Sequence, residues 1–132
     1  MLSYMLDTDI CVYVMTHRYP ALSDRFDQLA EEISVSSITL GELWYGVENS
    51  ARRDANFEAL TEFSGRLKVL DFSASAAAHY GRIRADFKRA GTPVGFHDML
   101  IGAHARSEGL TLVTNNRREF ARITGLRVEN WV

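Results

Sequence analysis

Short apolar runs alternate with helical periodicities along the whole chain. Leu2–Leu6 is an apolar run that stops at Asp7, Ile33–Ser37 sets Val35 between serines, Leu67–Phe72 alternates, and Leu110–Thr114 is nearly all apolar. Runs of this length predict strands, and unbroken apolar ones suit a sheet covered on both faces. Arg127–Trp131 predicts a short edge strand. Between the strands, Leu22, Phe26 and Leu29 share one stripe within Ala21–Glu32, and Phe57, Leu60 and Phe63 another within Ala55–Gly65. Tyr80, Ile83 and Phe87 mark a helix over Ala74–Ala90, stopped by Gly91 and Pro93. His97–Glu108 predicts a further helix, closed by Gly109 at its C′ position. This alternation predicts an α/β domain with three α/β/α layers around a mainly parallel sheet.

A chain of 132 residues with two prolines and no low-complexity stretch reads as a single domain over residues 1–132. Hydrophobic residues at 46% and charged residues at 24% exclude disorder and collagen-like repeats. Ile10–Met15, the longest apolar run, is far short of the ~20 residues of a spanning helix, so no membrane association is expected. The lone Cys11 excludes an intrachain disulfide and a cysteine-based zinc site. The expectation is a soluble cytoplasmic domain. The net charge of −2 is unevenly spread: Ser23–Glu62 carries a net −6, whereas Arg82–Arg127 carries a net +5. Such asymmetry suits an anionic partner on one side, and equally a solvated face of uneven composition.

Ligands of open α/β sheets bind beyond the carboxyl ends of the strands. Asp7 follows the first strand, Glu42 is expected in the first turn of the helix after the second, Asp98 opens the helix before the fourth, and Asn115 and Asn116 follow that strand. Clustered carboxylates repel unless a cation sits between them, and a hard divalent ion suits that role. Each residue also has a purely structural reading. Asp7 can cap a helix starting near Thr8, Thr39 to Glu42 fits a capping box, Asp98 complements a helix dipole, and the asparagines suit a turn.

The ordered segments Met5–Cys11, Ser37–Gly46, His79–Arg84, Gly91–Gly95, His97–Asp98, Leu112–Asn116 with Glu119–Phe120, and Val128–Trp131 resemble a PIN-domain ribonuclease. Their order and spacing are most similar to the VapC toxins of bacterial VapBC toxin–antitoxin pairs. The resemblance implies a magnesium-dependent endoribonuclease, with manganese as an alternative metal. Asp7 and Asp98 are then metal ligands, and Glu42 completes the acidic set. Many PIN nucleases carry a further acid where this chain has Asn116, so either Asn116 or Glu119 is left to supply the fourth position. The resemblance also implies a transfer RNA substrate such as the initiator species, a VapB-like antitoxin as inhibitor, and a homodimer.

Arg82 and Arg84, on one helix with Lys88 and Arg89, and Arg117, which follows the asparagines with Arg118 and Arg122, are candidate phosphate contacts. Leu43, Trp44 and Val47 are candidates to line an antitoxin groove, while Trp44 and Tyr45 read equally as buried apolar mass. His97 is a candidate proton shuttle beside Asp98. Two other functions compete. Asp7 and Asp9 match the opening of haloacid-dehalogenase-type phosphatases, but Lys68 and Lys88 are poorly placed for that chemistry. The other is a catalytically weak PIN-like module that binds RNA or a partner, its fourth acid lost at Asn116.

Overall fold

The computed structural model of the chain describes residues 1–132. Five strands, β1 (Tyr4–Leu6), β2 (Ile33–Ser36), β3 (Lys68–Leu70), β4 (Thr111–Val113) and β5 (Val128–Glu129), form one sheet in the order β3-β2-β1-β4-β5. All four pairings are parallel. Seven helices cover it: α1 (Thr8–Met15), α2 (Pro20–Leu29), α3 (Ser37–Glu48), α4 (Arg53–Gly65), α5 (Ala74–Ala90), α6 (Phe96–Ser107) and α7 (Arg117–Phe120). Each strand falls inside a predicted apolar run and is shorter than it. The stripe predicted over Ala21–Glu32 ends as an α-helix at Leu29 and continues as a 3-10 turn over Ala30–Glu32.

Successive strand side chains point to opposite faces of a sheet, and two cores follow. Leu6 and Val113 point into a layer built by α1, α2, α3 and α4, with Ile10, Phe26, Leu43, Leu60 and Phe63. Met5 and Leu112 point into the layer of α5, α6 and α7, with Ile83, Ile101 and Phe120. Burial on both faces explains why these strands read as continuous apolar runs. No helix is long and apolar enough to cross a membrane.

Strand order fixes where a site can form. The chain proceeds outward from β1 to β2 and β3, then returns to place β4 on the other side of β1. The crevice at the carboxyl ends of β1 and β4 is therefore the topological switch point of the sheet. Asp7 and Thr114 stand at its two lips, one residue beyond each strand.

Two helix starts differ from each other in what they confirm. Asp7 is the N-cap of α1, with extended backbone and its Oδ1 accepting from Thr8 N–H at 2.9 Å. The capping box at Thr39 and Glu42 is not formed. Ser36, at the end of β2, caps α3 by accepting from Ile38 N–H at 3.1 Å. Thr39 is thus already inside the helix and fully buried, with an unpartnered hydroxyl, and Glu42 lies in the second turn.

Ser36 also meets the fully buried His104 of α6, Oγ to Nδ1 at 2.8 Å. Burial lowers the His104 pKa, against smaller opposing pulls from Glu108 and Asp71. The folded ring is therefore neutral where an unfolded one, titrating near 6.5, begins to charge. Stability from this group is full above about pH 6.5 and is lost as pH falls through that value toward the folded pKa, by up to about 1.4 kcal/mol per unit. His104→Asn is expected to remove this acid-side slope. Urea unfolding of both chains at about pH 7.5 and about pH 5 measures it, and equal slopes would show that the ring takes up its proton as readily in the fold as in the unfolded chain.

Candidate active site

The switch point gathers acids from four elements. Asp7 is only 6% exposed, and its carboxylate is held from two sides. Thr8 N–H donates to Oδ1, and the fully buried Thr114 hydroxyl donates to Oδ2 at 2.8 Å. Thr114 Oγ1 in turn accepts from Asn116 N–H at 2.9 Å, so the turn after β4 fixes the donor that fixes Asp7. Asp98 lies in the first turn of α6 and is half-buried. His97, beside it, places Nε2 at 3.2 Å from Thr8 Oγ1 and Nδ1 at 3.9 Å from Glu42 Oε1.

The field of the site is strongly negative. Burial pushes the Asp7 pKa up against the pull of its two hydrogen bonds, and the charge of Asp98 pushes it further. Burial also raises Asp98, and the charges of Glu119 and Asp9 add to it, opposed by His97. Asp9 is raised by burial and by Asp7. Each of these three acids registers a neighbouring acid, so Asp7, Asp9, Asp98 and Glu119 lie within electrostatic reach of one another along one edge of the sheet, with Glu42 joined to them through His97. No Lys or Arg pairs with Asp7, Asp9, Glu42 or Asp98.

A hard cation fits this donor set. Asp7 spends one lone pair of each oxygen on the protein, and Asp98 is free of ion pairs. No three carboxylate or imidazole side chains close on one point. Mg²⁺ needs fewer protein ligands than three, since it keeps several waters and is usually held by one or two carboxylates.

Residues 4–126 match the PIN domain. The chain belongs to the PIN-domain family. It groups there with the VapC ribonucleases of toxin–antitoxin pairs. It is 48% identical over 132 residues to Ribonuclease VapC2 of Haemophilus influenzae, covering 100% of both chains. It is 46% identical over 131 residues to the tRNA(fMet)-specific endonuclease VapC of Shigella flexneri, covering 99% of each. The VapC fold in the crystal structure of DNA-bound VapBC from Salmonella typhimurium superposes with a TM-score of 0.96 at 45% identity over 100% of both chains. VapBC2 from Rickettsia felis gives 0.93 at 41%, over 99% of this chain and 100% of that one.

Within this PIN domain the charge of Asp98 reaches Asp7 and that of Glu119 reaches Asp98, while Glu42 lies on an exposed face of α3. Asn116 caps α7 through its backbone and is exposed, making no side-chain cap bond. Arg82, Arg84 and Arg117 are all exposed. Leu43 and Val47 line a groove of about 330 Å³ between α1, α3 and α4, together with Val12 and Met15, and Thr8 and Glu42 stand in its wall. Trp44 is outside that groove: its ring packs on Phe57 of α4 at 5.2 Å. Tyr45 is not buried mass but 66% exposed.

Sequence reasoning missed Thr114 and the acidic role of Asp9. The available signal for Thr114 was a polar residue closing an otherwise apolar strand. For Asp9 it was a second acid two residues after the first.

Two outcomes are expected. Thr114→Val, which keeps the shape and removes the hydroxyl, should raise the Asp7 pKa further and cost about 1–3 kcal/mol. Carboxyl NMR titration and urea unfolding read these separately. Asp98→Asn should stabilise the metal-free fold at pH 7, by a few tenths of a kcal/mol once solvent screening of a half-exposed group is counted. The raised pKa means that wild type regains this difference as pH falls through the folded value to below about 3.9, where the carboxyl is protonated in both states. A pH series of melts in EDTA tests the sign.

Proposed function

We propose that this chain is a magnesium-dependent endoribonuclease toxin that cuts transfer RNA, with the initiator species as target, and is restrained by a VapB-like antitoxin. The observation that carries the reading is the uncompensated acidic pocket at the switch point, lying in a chain 46% identical to a tRNA(fMet)-specific endonuclease. The substrate places the reaction in the cytoplasm, and the resemblance to VapC toxins favours a homodimer.

Asp7 and Asp98 would hold the ion, with Glu42 and Glu119 completing the set through water. When bound, Mg²⁺ lowers the pKa of a water and neutralises charge developing on the scissile phosphate. The protein supplies the rest. Thr8 N–H and Thr114 Oγ1 fix both oxygens of Asp7, so its remaining lone pairs face the crevice without rotamer search. His97 stands between Thr8 and Glu42, orienting Glu42 from a helix that is otherwise exposed there. Arg82, Arg84 and Arg117 offer phosphate contacts that set register without reading bases. A non-catalytic module draws its support from the missing acid at Asn116. Glu119, whose charge reaches Asp98, answers that absence.

The restraint follows the same geometry. An inhibitor helix can lay apolar side chains on Val12, Met15, Leu43 and Val47 and send an Arg past Thr8 and Glu42 toward the acids. A bidentate Arg there competes with the metal for the carboxylates.

The deciding experiment incubates antitoxin-free protein with initiator and elongator tRNAs, with Mg²⁺ or EDTA. Asp7→Asn and Asp98→Asn should abolish cleavage while remaining folded. Glu42→Gln should lose rate by roughly 10²-fold or more with unchanged stability, since Glu42 is a second-turn surface residue and no cap. Mg²⁺ at 100 times its Kd should raise wild-type stability by about 2.7 kcal/mol and leave Asp7→Asn unmoved. Turnover in EDTA equal to that in Mg²⁺ would end the metal assignment. For the groove, Val12→Asp should weaken antitoxin binding by ten-fold or more, on the order of 1.4 kcal/mol, with free-enzyme turnover intact. Equal affinity would place the inhibitor elsewhere.

A further inference from the structure

Helix α1 closes with a Schellman turn, which folds the residue beyond the helix back onto its last turn. Arg18 N–H donates to the Tyr13 carbonyl at 3.1 Å and His17 N–H to that of Val14 at 3.2 Å, with His17 left-handed at φ 52°. Arg18 is thereby laid against Tyr13. Its guanidinium stands 5.5 Å from the Tyr13 ring centroid and 5.5 Å from that of Tyr19, and the two rings meet edge to face at 5.2 Å. Arg18 is exposed, and no carboxylate pairs with it. Its charge is held in place by aromatic faces and answered by no acid.

Two observations place this cation beside the acidic edge. Tyr13 follows Asp9 by four residues in α1, so the two share one face of the helix, and Asp9 lies in the field of Asp7. From the other side, Asn115 Nδ2 approaches the Tyr13 hydroxyl at 3.5 Å. Asn115 stands between Thr114, whose hydroxyl donates to Asp7, and Asn116, whose N–H donates to Thr114. The Tyr13 side chain therefore reaches from the turn that fixes Asp7 to the Arg18 guanidinium.

A nuclease that gathers carboxylates must hold a phosphate chain against their repulsion. An arginine fixed in advance does so without the cost of ordering a free side chain. We propose that Arg18, seated on Tyr13 and Tyr19, contacts an RNA backbone phosphate flanking the scissile one; this rests on the ribonuclease reading above. The guanidinium spends its N–H groups on no carboxylate, and its planar fork matches a phosphate. Arg18 is then a binding residue: it acts on affinity and register, reads no base, and leaves the chemical step to the carboxylates.

The test is a salt series of equilibrium binding in EDTA, where no cutting occurs, with the labelled initiator anticodon-arm hairpin. Steady-state cleavage of the same hairpin in Mg²⁺ accompanies it. Full-length wild type, Arg18→Gln, Arg18→Lys and Arg53→Gln are compared. Arg53→Gln makes the same charge change at a guanidinium already paired with Glu48 and Asp54. Arg18→Gln should flatten the logarithmic salt dependence by about 0.7, one phosphate contact on a single strand, and weaken binding about four-fold at ~0.15 M salt. KM should rise by the same factor with kcat unchanged. Arg18→Lys should keep the wild-type slope, because the slope reads charge rather than fold, and Arg53→Gln should match wild type throughout. Arg18→Met, which keeps an apolar stem on the rings, carries the same prediction if Arg18→Gln unfolds. A wild-type slope in the neutral Arg18 variant, an equal loss in Arg53→Gln, or a fall in kcat at constant KM would each overturn the contact. A wild type that neither binds nor cuts the hairpin would overturn the ribonuclease reading and the contact with it.

Discussion

Keeping a carboxylate in place at nearly complete burial is expensive, because the charged form loses its hydration. At Asp7 the loss is offset by one backbone N–H and one hydroxyl, and those two donors come from different elements. Thr8 opens α1, and Thr114 closes β4 with its own oxygen held by the turn that leads to α7. The hydrogen bonds of a single side chain therefore tie the central strand to the helix that follows it and to the strand that returns beside it. The parallel sheet makes this possible, because every strand ends on the same edge and the reversal of strand order leaves a crevice between β1 and β4.

What could be read from the chain depended on how local the physics was. The α5 boundaries, Ala74 and Ala90, are marked by Ser73, whose hydroxyl caps the first turn, and by Gly91, whose φ of 67° ends the last. The acids were found because strand ends are visible as the ends of apolar runs. The capping box at Thr39 failed for a local reason of its own: Ser36 stands earlier, and its claim to the cap becomes evident only once β2 is known to end there. The place of Trp44 could not be read from the chain because Leu40, Leu43, Trp44 and Val47 make α3 apolar over a wide arc. Periodicity cannot choose among its faces, and packing of Phe57 from α4 made the choice. Thr114 lies 107 residues from Asp7, and no pattern within one element announces such a bond.

The charge asymmetry along the chain has a spatial counterpart in α7. This single turn presents Arg117 and Arg118 on the surface and carries Glu119 toward Asp98. Glu119 arrives with a counter-charge, since Arg122 pairs with it three residues on. The remaining acids of the pocket have no such partner. The cluster is thus graded: Asp7 is locked by hydrogen bonds, Asp98 is open, and Glu119 is already partly neutralised. A divalent ion would meet an unanswered field between Asp7 and Asp98, where burial pushes both carboxyl pKa values up and the charge of Asp98 adds to the rise at Asp7.

That grading bears on how a polyanion approaches an acidic pocket at all. Unscreened, the carboxylates repel phosphate, and at ~0.15 M salt the repulsion fades only over about 8 Å. The cations that counter it are not paired with the acids: Arg117 and Arg118 stand on α7 beside Glu119, and Arg82 and Arg84 are exposed on α5. Under the proposed reading, RNA is therefore drawn to these cations first and reaches the carboxylates only where a metal offsets their charge. Binding at the cations and chemistry at the crevice then depend on different residues. Arg84 and Arg117 bear on affinity in metal-free buffer, whereas Asp7 and Asp98 bear on turnover, so substitutions in one group leave the other measurable.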